Sequence, residues 1–295
     1  MTRSAPRPAP RVRWHGEPPP ARVLLAAFEG WNDAGDAASL ALAHLDDAWS
    51  GTSFADIDPE EFYDFSTTRP QVRFDDDDRR EIVWPTNRCS FATPHGRSET
   101  TTADDAGVVL LRGVEPQLRW RTFCDQVLAV AEATKVDLVL TVGALLAEVP
   151  HSRPVPVFGA AYEDEVVEQL GLLPSRYEGP TGIVGVLHAA CADAGLRSAS
   201  LWAAVPSYLP SAPSPKAALA LVRKITDVLD VGVDGTALEI ATANYERSVD
   251  AAARDDDDTA DYIAQLEQRF DEEGSSLDAE PTLADEIEAF LRDQD

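Results

Sequence analysis

Short runs of consecutive apolar residues alternate along the chain with stretches in which apolar residues recur every three or four positions. The apolar runs lie at 22–28, 107–112, 136–142 and 198–205. Runs of this length are typical of strands covered on both faces. The helical patterns lie at 37–45, 120–133, 181–194 and 216–229. Because strands joined by single helices pair in parallel through right-handed crossovers, we expect an α/β fold, a three-layer α/β/α sandwich with a mostly parallel central sheet.

Two segments depart from this alternation. The segment 53–84 carries shorter extended pieces, and two of them, 71–74 and 81–84, flank the acidic run Asp75–Asp78. Two extended pieces around a polar tip are typical of a β-hairpin, so we expect a surface β-insert with solvated aspartates. An irregular stretch with several prolines then leads to a short helical pattern at 162–170.

The composition changes at both ends of the chain. The first 20 residues are rich in proline and arginine and lack apolar periodicity, as expected for a disordered tail. After the core, helical patterns lie at 236–253, 259–273 and 281–292. The first of them carries an apolar stripe that must bury against the core, another subunit or a partner, and packing on the same chain is the favoured interpretation. The stripe is made of Leu238, Ala241, Tyr245 and Val249. The predicted units are a tail at 1–20, a core domain at 21–230 and an acidic helical appendage at 231–295.

Charge and cysteine content narrow the class of protein. With 52 acidic and 25 basic residues, the formal net charge of −27 repels nucleic acid and anionic lipid, so neither is an expected partner. No apolar run approaches the roughly 18 residues of a spanning helix, and the N-terminus has no apolar signal region. Three cysteines without a CxxC pair predict neither a disulfide framework nor a zinc site. We expect a cytoplasmic protein with reduced thiols and without cofactor or metal.

Four loops after the predicted strands carry the candidate chemistry, because ligands of open parallel sheets bind beyond the carboxyl ends of the strands. These loops lie at 29–36, 113–116, 143–154 and 206–210. The candidate ligand-binding or interface residues, in these loops and just before the helix at 181–194, are Trp31, Asn32, Asp33, Asp36, Glu115, His151, Arg153, Tyr177 and Thr181. The chain has no Gly-x-Ser-x-Gly elbow and no HExxH pattern, so we assign no catalytic residue and no metal ligand.

The loop at 29–36 admits two interpretations. Gly30 and Gly35 after a strand invite comparison with a phosphate-binding loop, but the lysine of such loops is absent. Asp33 and Asp36 would also repel a phosphate. The favoured interpretation is that one of the two aspartates caps the following helix while the glycines permit the turn.

His151 and Arg153, which lie between prolines, form the strongest candidate pair. They would act as an oriented donor and an anion ligand, although an inter-subunit salt bridge to Glu115 explains them equally well. Trp31 and Tyr177 are plausible interface anchors, because aromatic side chains combine a large apolar area with a polar group.

Several of these segments resemble, in order, the motifs of the PAC2 family, which is named after a proteasome assembly chaperone subunit. They are 28–38, 58–65 with Arg69-Pro70, 113–116 with Trp120-Arg121, 150–154 and 177–182. The resemblance covers about residues 22–230, and the helical end is similar to that of actinobacterial members. It implies a phosphorylase- and hydrolase-like fold, a tendency to form homo-oligomers, often trimers, and no particular reaction.

The ending of the chain departs from one group of relatives. Chaperones of this family that engage the proteasome end in a hydrophobic residue, tyrosine and any third residue, whereas this chain ends Asp293-Gln-Asp295. Direct docking into a proteasome ring is therefore not expected.

The favoured hypothesis is a non-enzymatic homo-oligomer that acts in protein assembly or scaffolding. The alternative is a small-molecule binding protein or enzyme that uses a phosphorylase-like cleft. A nucleoside-like or anionic ligand would there be surrounded by Asn32, Asp33, Glu115, His151 and Arg153. A further possibility is a structural homo-oligomer whose acidic appendage recruits a basic partner.

Overall fold

The computed structural model contains eleven strands and seven α-helices in the part of the chain that it describes, which is 12–75, 77–96, 107–161, 163–170, 172–174, 179–254 and 256–274. The strands are β1 (Val12–Trp14), β2 (Val23–Glu29), β3 (Thr52–Ile57), β4 (Gln71–Phe74), β5 (Arg80–Val83), β6 (Asn87–Ala92), β7 (Val108–Val114), β8 (Leu138–Ala147), β9 (Val157–Ala161), β10 (Leu173–Pro174) and β11 (Arg197–Pro206). The helices are α1 (Ala37–Ala48), α2 (Trp120–Thr134), α3 (Asp164–Leu170), α4 (Ile183–Asp193), α5 (Pro215–Leu229), α6 (Thr236–Arg254) and α7 (Asp257–Gly274).

Nine strands form one sheet in the order β1-β3-β6-β7-β2-β8-β11-β9-β10. The four central strands, β7, β2, β8 and β11, run parallel to one another. Antiparallel pairs join β1, β3 and β6 to β7 on one side, and β9 to β11 on the other. The predicted sandwich with a parallel centre is confirmed, and the antiparallel margins are an addition to it.

Helices cover both faces of the sheet, as the continuous apolar runs predict. Along β2, Leu25 belongs to a buried cluster with residues of α1 and α5, whereas its neighbour Leu24 belongs to a second cluster with residues of α2 and α4. Because successive side chains of a strand point to opposite faces, a strand buried on both sides must be apolar throughout. This packing explains why β2 shows a run and not an alternation.

The margins of the sheet correct two predictions. Val12–Trp14 is a strand paired with β3, so the expectation of a disordered tail is wrong for this part of 1–20; residues 1–11 lie outside the described residues. The expected surface insert begins with β3, which also belongs to the main sheet, and only the hairpin of β4 and β5 stands apart from it. Val12 is buried, and this contact supplies the order that proline-rich composition alone does not indicate.

A third correction concerns the loop predicted at 143–154. The strand β8 continues to Ala147 and pairs with β11 over its whole length, so the loop begins only at Glu148. Gly143 lies inside the strand. A glycine is needed there because a β-carbon would lie 2.5 Å from the Trp202 ring. A glycine that permits close packing was interpreted from the sequence as the start of a turn.

The helices α6 and α7 pack against the rest of the molecule. Leu238 of α6 is buried, and so are Ile263 and Leu266 of α7. Leu238 is the buried member of the apolar stripe on α6 and the other three members are half-buried, which agrees with the favoured interpretation of packing on the same chain. The division into a core domain and an appendage stays a prediction, and the helical pattern at 281–292 lies outside the described residues.

Candidate functional site

The loops after β2, β7, β8 and β11 lie at one edge of the sheet, because neighbouring parallel strands end on the same side. The structure joins the predicted site residues on this edge into two groups. One group, around Asn32 and Glu115, is tied to the start of α4. The other, around His151 and Arg153, is tied to α6 and α7.

Glu115 is the centre of the first group. Its Oε1 atom accepts hydrogen bonds from Asn32 Nδ2 at 3.0 Å and from the backbone N–H of Ile183, the first residue of α4, at 2.8 Å. A carboxylate at this position is stabilised by the partial positive charge of a helix N-terminus. Gly182 is required beside it, since a β-carbon would lie 2.4 Å from Asn32 Nδ2. One carboxylate thus connects the loops after β2 and β7 to α4.

Asp33 holds the same loop onto α1. Its Oδ1 atom accepts hydrogen bonds from the backbone N–H groups of Ala38 at 2.7 Å and Ser39 at 3.2 Å, so the predicted capping role falls to Asp33. Asp36 precedes α1 directly but makes no side-chain cap bond. The turn uses positive φ angles at Gly30 and at Gly35, as the capping interpretation expects.

The second carboxylate oxygen of Asp33 is buried, and the described residues offer it no hydrogen-bond partner. Burial raises the pKa of Asp33, while the bonds from Ser39 and Ala38 oppose that shift. The backbone around it is paired, because the Ala144 N–H donates to the Asn32 carbonyl at 2.9 Å. The loop is therefore a fixed extension of the sheet edge.

Two polar residues that the sequence analysis missed, Tyr63 and Asn87, hold the end of β7 next to Glu115. The Tyr63 hydroxyl donates to the Val114 carbonyl at 2.6 Å, and Asn87 Nδ2 donates to that hydroxyl at 2.5 Å and to the same carbonyl at 3.1 Å. Burial raises the pKa of Tyr63 well above its usual range. Tyr63 lies in the motif at 58–65, which could have marked it, whereas Asn87 carries no local signal.

The outer surface of the first group is formed by exposed side chains. Trp31 is 47% exposed although the loop that carries it is fixed on both sides. Thr181 and Asp36 are also exposed. Tyr177, the other predicted aromatic anchor, lies outside the described residues.

His151 is the centre of the second group and is only 3% exposed. Its backbone N–H donates to the Tyr208 hydroxyl, which also lies 2.8 Å from Nδ1. Its Nε2 atom lies 3.1 Å from Asp250 of α6, and its carbonyl accepts a bond of 2.6 Å from Lys216 Nζ. All polar groups of this histidine therefore face partners of the same chain.

Arg153 is bound by α7. Its Nε and one terminal nitrogen donate to the two carboxylate oxygens of Asp271, each at 2.7 Å, and Glu267 lies 3.4 Å from the other terminal nitrogen. The hydrogen bond from Arg153 lowers the pKa of Asp271. The inter-subunit salt bridge to Glu115 stays a prediction, and within this chain Arg153 is engaged by Asp271 of α7. The sequence could not show this, because 118 positions separate Arg153 from Asp271.

Glu148, the first residue after β8, completes the second group. It accepts hydrogen bonds from the Tyr262 hydroxyl at 2.5 Å and from Ser207 Oγ at 2.9 Å, and Arg269 lies 3.5 Å away. The hydrogen bond from Tyr262 lowers the pKa of Glu148. Polar and charged contacts therefore hold α7 across the loop that follows β8.

Other chemistry finds little support at this edge. Among the described residues, no three His, Cys, Asp or Glu side chains are grouped as a metal site. Cys89, Cys124 and Cys191 are buried free thiols, and burial raises the pKa of each to about 12. No described helix is both long enough and apolar enough to cross a bilayer.

Comparison with known proteins shows a close likeness to one family. The model of the PAC2 family matches residues 27–253. The crystal structure of a PAC2 family protein from Streptomyces avermitilis shares 45% identity and a TM-score of 0.75, covering 82% of this chain and 99% of that one. A proteasome-assembly chaperone homologue of Mycobacterium tuberculosis shares 47% identity and a TM-score of 0.71, with the same two coverages. None of the curated proteins matches this chain.

A more distant structure shares the fold alone. An archaeal proteasome activator from Pyrococcus furiosus has 15% identity and a TM-score of 0.65, covering 82% of this chain and 97% of that one. The part of the present chain that the family model matches includes the first group and the second group as far as Asp250, but not the contacts made by α7.

Proposed function

Because the chain belongs to the PAC2 family, we propose that it is a non-enzymatic, homo-oligomeric cytoplasmic protein that acts in protein assembly or scaffolding. The relatives described as proteasome-assembly chaperone homologues support this class of function. The resemblance favours three copies in the oligomer. The partner is a protein that meets the sheet edge around Trp31.

The observation that carries this proposal is an exposed tryptophan on a rigid loop. Trp31 is 47% exposed, while Asn32 and Asp33 beside it are buried and hydrogen-bonded to Glu115 and to α1. A large aromatic side chain that is fixed before binding loses little conformational entropy, which is why tryptophan is enriched at the energetic centres of interfaces. The polar residues nearby stabilise the loop and leave Trp31 as the group available for contact.

The contacts of His151 and Arg153 support an interface and not a catalytic cleft. Tyr208, Asp250 and Asp271 engage the polar groups that a ligand would need. A general base or anion ligand has to present a group to its substrate. Positioning of α6 and α7 is the role that these contacts support.

The test is quantitative capture of protein partners from the cytosol of the source organism by the wild-type chain and by Trp31→Ala. We expect the variant to lose at least ten-fold in partner recovery, since removal of an anchoring tryptophan commonly costs 2 kcal/mol or more. The matched control is Trp14→Ala on β1. It removes a tryptophan of similar exposure, 40%, that is not in the loops at the carboxyl ends of the parallel strands. Equal recovery with wild type and Trp31→Ala would contradict the proposal.

The second candidate, a small-molecule binding protein, has one observation in its favour. The buried Asp33 oxygen lacks a hydrogen-bond partner among the described residues, and such an atom is costly to leave unpaired. Thermal unfolding in the presence of nucleosides and small anions separates the candidates, because a ligand of the folded state raises Tm. A raised Tm that is lost in Asp33→Asn would favour this candidate over a scaffold.

A further inference from the structure

The hairpin of β4 and β5 is a two-stranded sheet that pairs with no other strand among the described residues. All of β4 is exposed, and so is most of β5. At its base, the ring of Trp84 packs on Phe65 with centroids 4.8 Å apart. An isolated two-stranded hairpin is marginal in water unless a third strand or another surface supports it.

One face of this hairpin is largely apolar, and Arg80, opposite Phe74, is its charged member. Val72 lies opposite Ile82, and Phe74 lies two residues further along the same face. Their exposed fractions are 55% for Val72, 53% for Ile82 and 64% for Phe74. Contiguous exposed apolar residues of this kind mark interaction sites.

The hydrogen-bonding groups of β4 indicate which edge is free. Asp75 N–H donates to the Arg79 carbonyl, which makes these two residues a hydrogen-bonded pair of the hairpin. Such pairs alternate with non-hydrogen-bonded pairs along an antiparallel ladder. The backbone groups of Val72 and Phe74 therefore point away from β5, towards the open edge of β4.

Charges on either side of β4 are complementary to those of a second copy. Arg69 lies three residues before Val72, and Asp75 lies three residues after it. Arg69 is exposed, and no ion pair is formed by it among the described residues. In an antiparallel pair of two β4 strands centred on Val72, Asp75 lies opposite Arg69 of the second copy, and Gln71 lies opposite Arg73.

The neighbouring register is unfavourable. If the pair were centred on Arg73, the two Arg73 side chains would lie directly opposite each other, and like charges in that position destabilise a sheet. A two-fold axis perpendicular to the sheet keeps each residue on its own face, so the centre moves only in steps of whole residues. Of these two registers, the one centred on Val72 opposes unlike charges without opposing like charges.

We infer that β4 is a self-association edge, at which two copies of this chain pair their β4 strands antiparallel around Val72 and form one four-stranded sheet. The pairing supplies the N–H and carbonyl groups of Val72 and the N–H of Phe74 with partners. Phe74 lies against Pro70 of the second copy, which has no N–H to donate to the Phe74 carbonyl. The pairing deepens the proposed self-association and rests on it. A two-fold axis that meets the three-fold axis of the proposed trimer at a right angle turns three copies into six, and this closed assembly is the one we infer.

The first test is cross-linking of the full chain with the substitution Val72→Cys. Opposed residues of a hydrogen-bonded antiparallel pair have Cα atoms about 5.5 Å apart, within the range of a disulfide. Mild oxidation should give a species of twice the 31.9 kDa of the chain on a non-reducing gel, while the native cysteines are all buried and contribute no background. The matched control, Ile82→Cys, has similar exposure on the other strand and should stay uncross-linked.

The second test compares two proline substitutions by light scattering. Val72→Pro removes an N–H from the open edge of β4, and Ile82→Pro removes one from the open edge of β5; neither N–H belongs to the hairpin ladder. We expect Val72→Pro to halve the mass of the wild-type assembly and Ile82→Pro to leave it unchanged. Circular dichroism should be equal for both, since the hairpin lies outside the main sheet.

Equal masses for wild type and Val72→Pro, or equal cross-linking at positions 72 and 82, would overturn the inference. The outcome is separable from the proposed function. Failed cross-linking with normal, Trp31-dependent partner capture rejects the β4 contact alone. Efficient cross-linking without any captured partner keeps the contact and rejects the role in protein assembly.

Discussion

The two halves of the sheet edge are built in opposite ways. In the half around Glu115, a few short hydrogen bonds join loops directly to the ends of α1 and α4, and the outer surface is left uncovered. In the half around His151, two further helices lie over the loops and are held by the contact between His151 and Asp250 and by charged pairs. The first half is rigid and exposed, whereas the second is covered.

This difference indicates how each half can change. The contacts of the Glu115 half involve backbone groups of the core, so they open only when the core unfolds. The contacts of the His151 half join side chains such as Arg153 and Asp271, half exposed to solvent, which salt and acid weaken. We therefore expect α7 to open locally at a lower free energy than the sheet.

The largest effect is expected from a substitution that weakens the packing of α7. Leu266→Ala removes a side chain that is 1% exposed, and such truncations cost roughly 3 to 5 kcal/mol of packing. Because α7 lies outside the sheet, we expect hydrogen exchange to accelerate in 257–274 while β2 and β8 stay protected. Ile240→Ala, at a 60% exposed position of α6, is the control and should change neither. An equal rise in the exchange rate of β2 would show that α7 and the sheet unfold together.

The next effect concerns the layer beneath α4. His188 Nδ1 lies 2.8 Å from Ser198 Oγ and Nε2 lies 3.1 Å from Thr141 Oγ1, and burial lowers the pKa of His188 to about 4. The unfolded histidine, with a pKa near 6.5, then binds its proton first, so stability is full above that value and falls as the pH drops towards 4.

The loss should amount to about 3 kcal/mol between pH 7 and pH 4, measured by urea unfolding. His188→Gln keeps a polar side chain and should flatten this part of the pH profile. A wild-type profile that runs parallel to that of the variant would contradict the assignment to His188.

A smaller effect is expected from Glu115→Ala. The substitution leaves Asn32 Nδ2 and the Ile183 N–H without their acceptor, at a cost of about 2 kcal/mol in the free energy of unfolding. Glu115→Gln keeps one acceptor oxygen and should lose less. If the two variants unfold at the same urea concentration as the wild type, Glu115 does not hold the loops together.

The smallest effect is expected from the charged pairs. Arg153→Ala should raise the hydrogen-exchange rate of α7 several-fold and leave the global urea midpoint unchanged. Lowering the pH should likewise reduce the protection of α7 relative to the intrinsic exchange rate at each pH, because the pKa values of Asp271 and Glu148 are lowered in the fold and stability is lost as the pH falls through them. Arg269→Ala is the matched comparison and should have a smaller effect, since the contact of Arg269 to Glu148 is 3.5 Å long.

The sequence predicts the centre of this fold well. Runs such as 22–28 are apolar because both faces of β2 are covered, and this local pattern needs no knowledge of the partner strands. The strands β1 and β6 were missed for different reasons. The strand β1 has three residues and borders the sheet, whereas β6 lies inside the sheet but mixes polar residues with its apolar ones. Their order comes from pairing with β3 and β7, which is a tertiary contact.

The sequence predicts which loops carry the candidate site, but not all of the contacts that its residues make. Topology brings Asn32 and Glu115 to one edge, and their pairing agrees with that prediction. The engagement of His151 and Arg153 by Asp250 and Asp271 depends on how helices about 100 residues further along the chain fold back. No local pattern around Pro150–Pro154 carries that information.

The most direct test of the account is a hydrogen-exchange footprint of the full chain in complex with its captured protein partner. The account predicts slower exchange in the loop 30–36 and at the start of α4, and unchanged exchange at 148–153 beneath α7. Protection confined to 148–153, with 30–36 unaffected, would place the working surface on the covered half and contradict it.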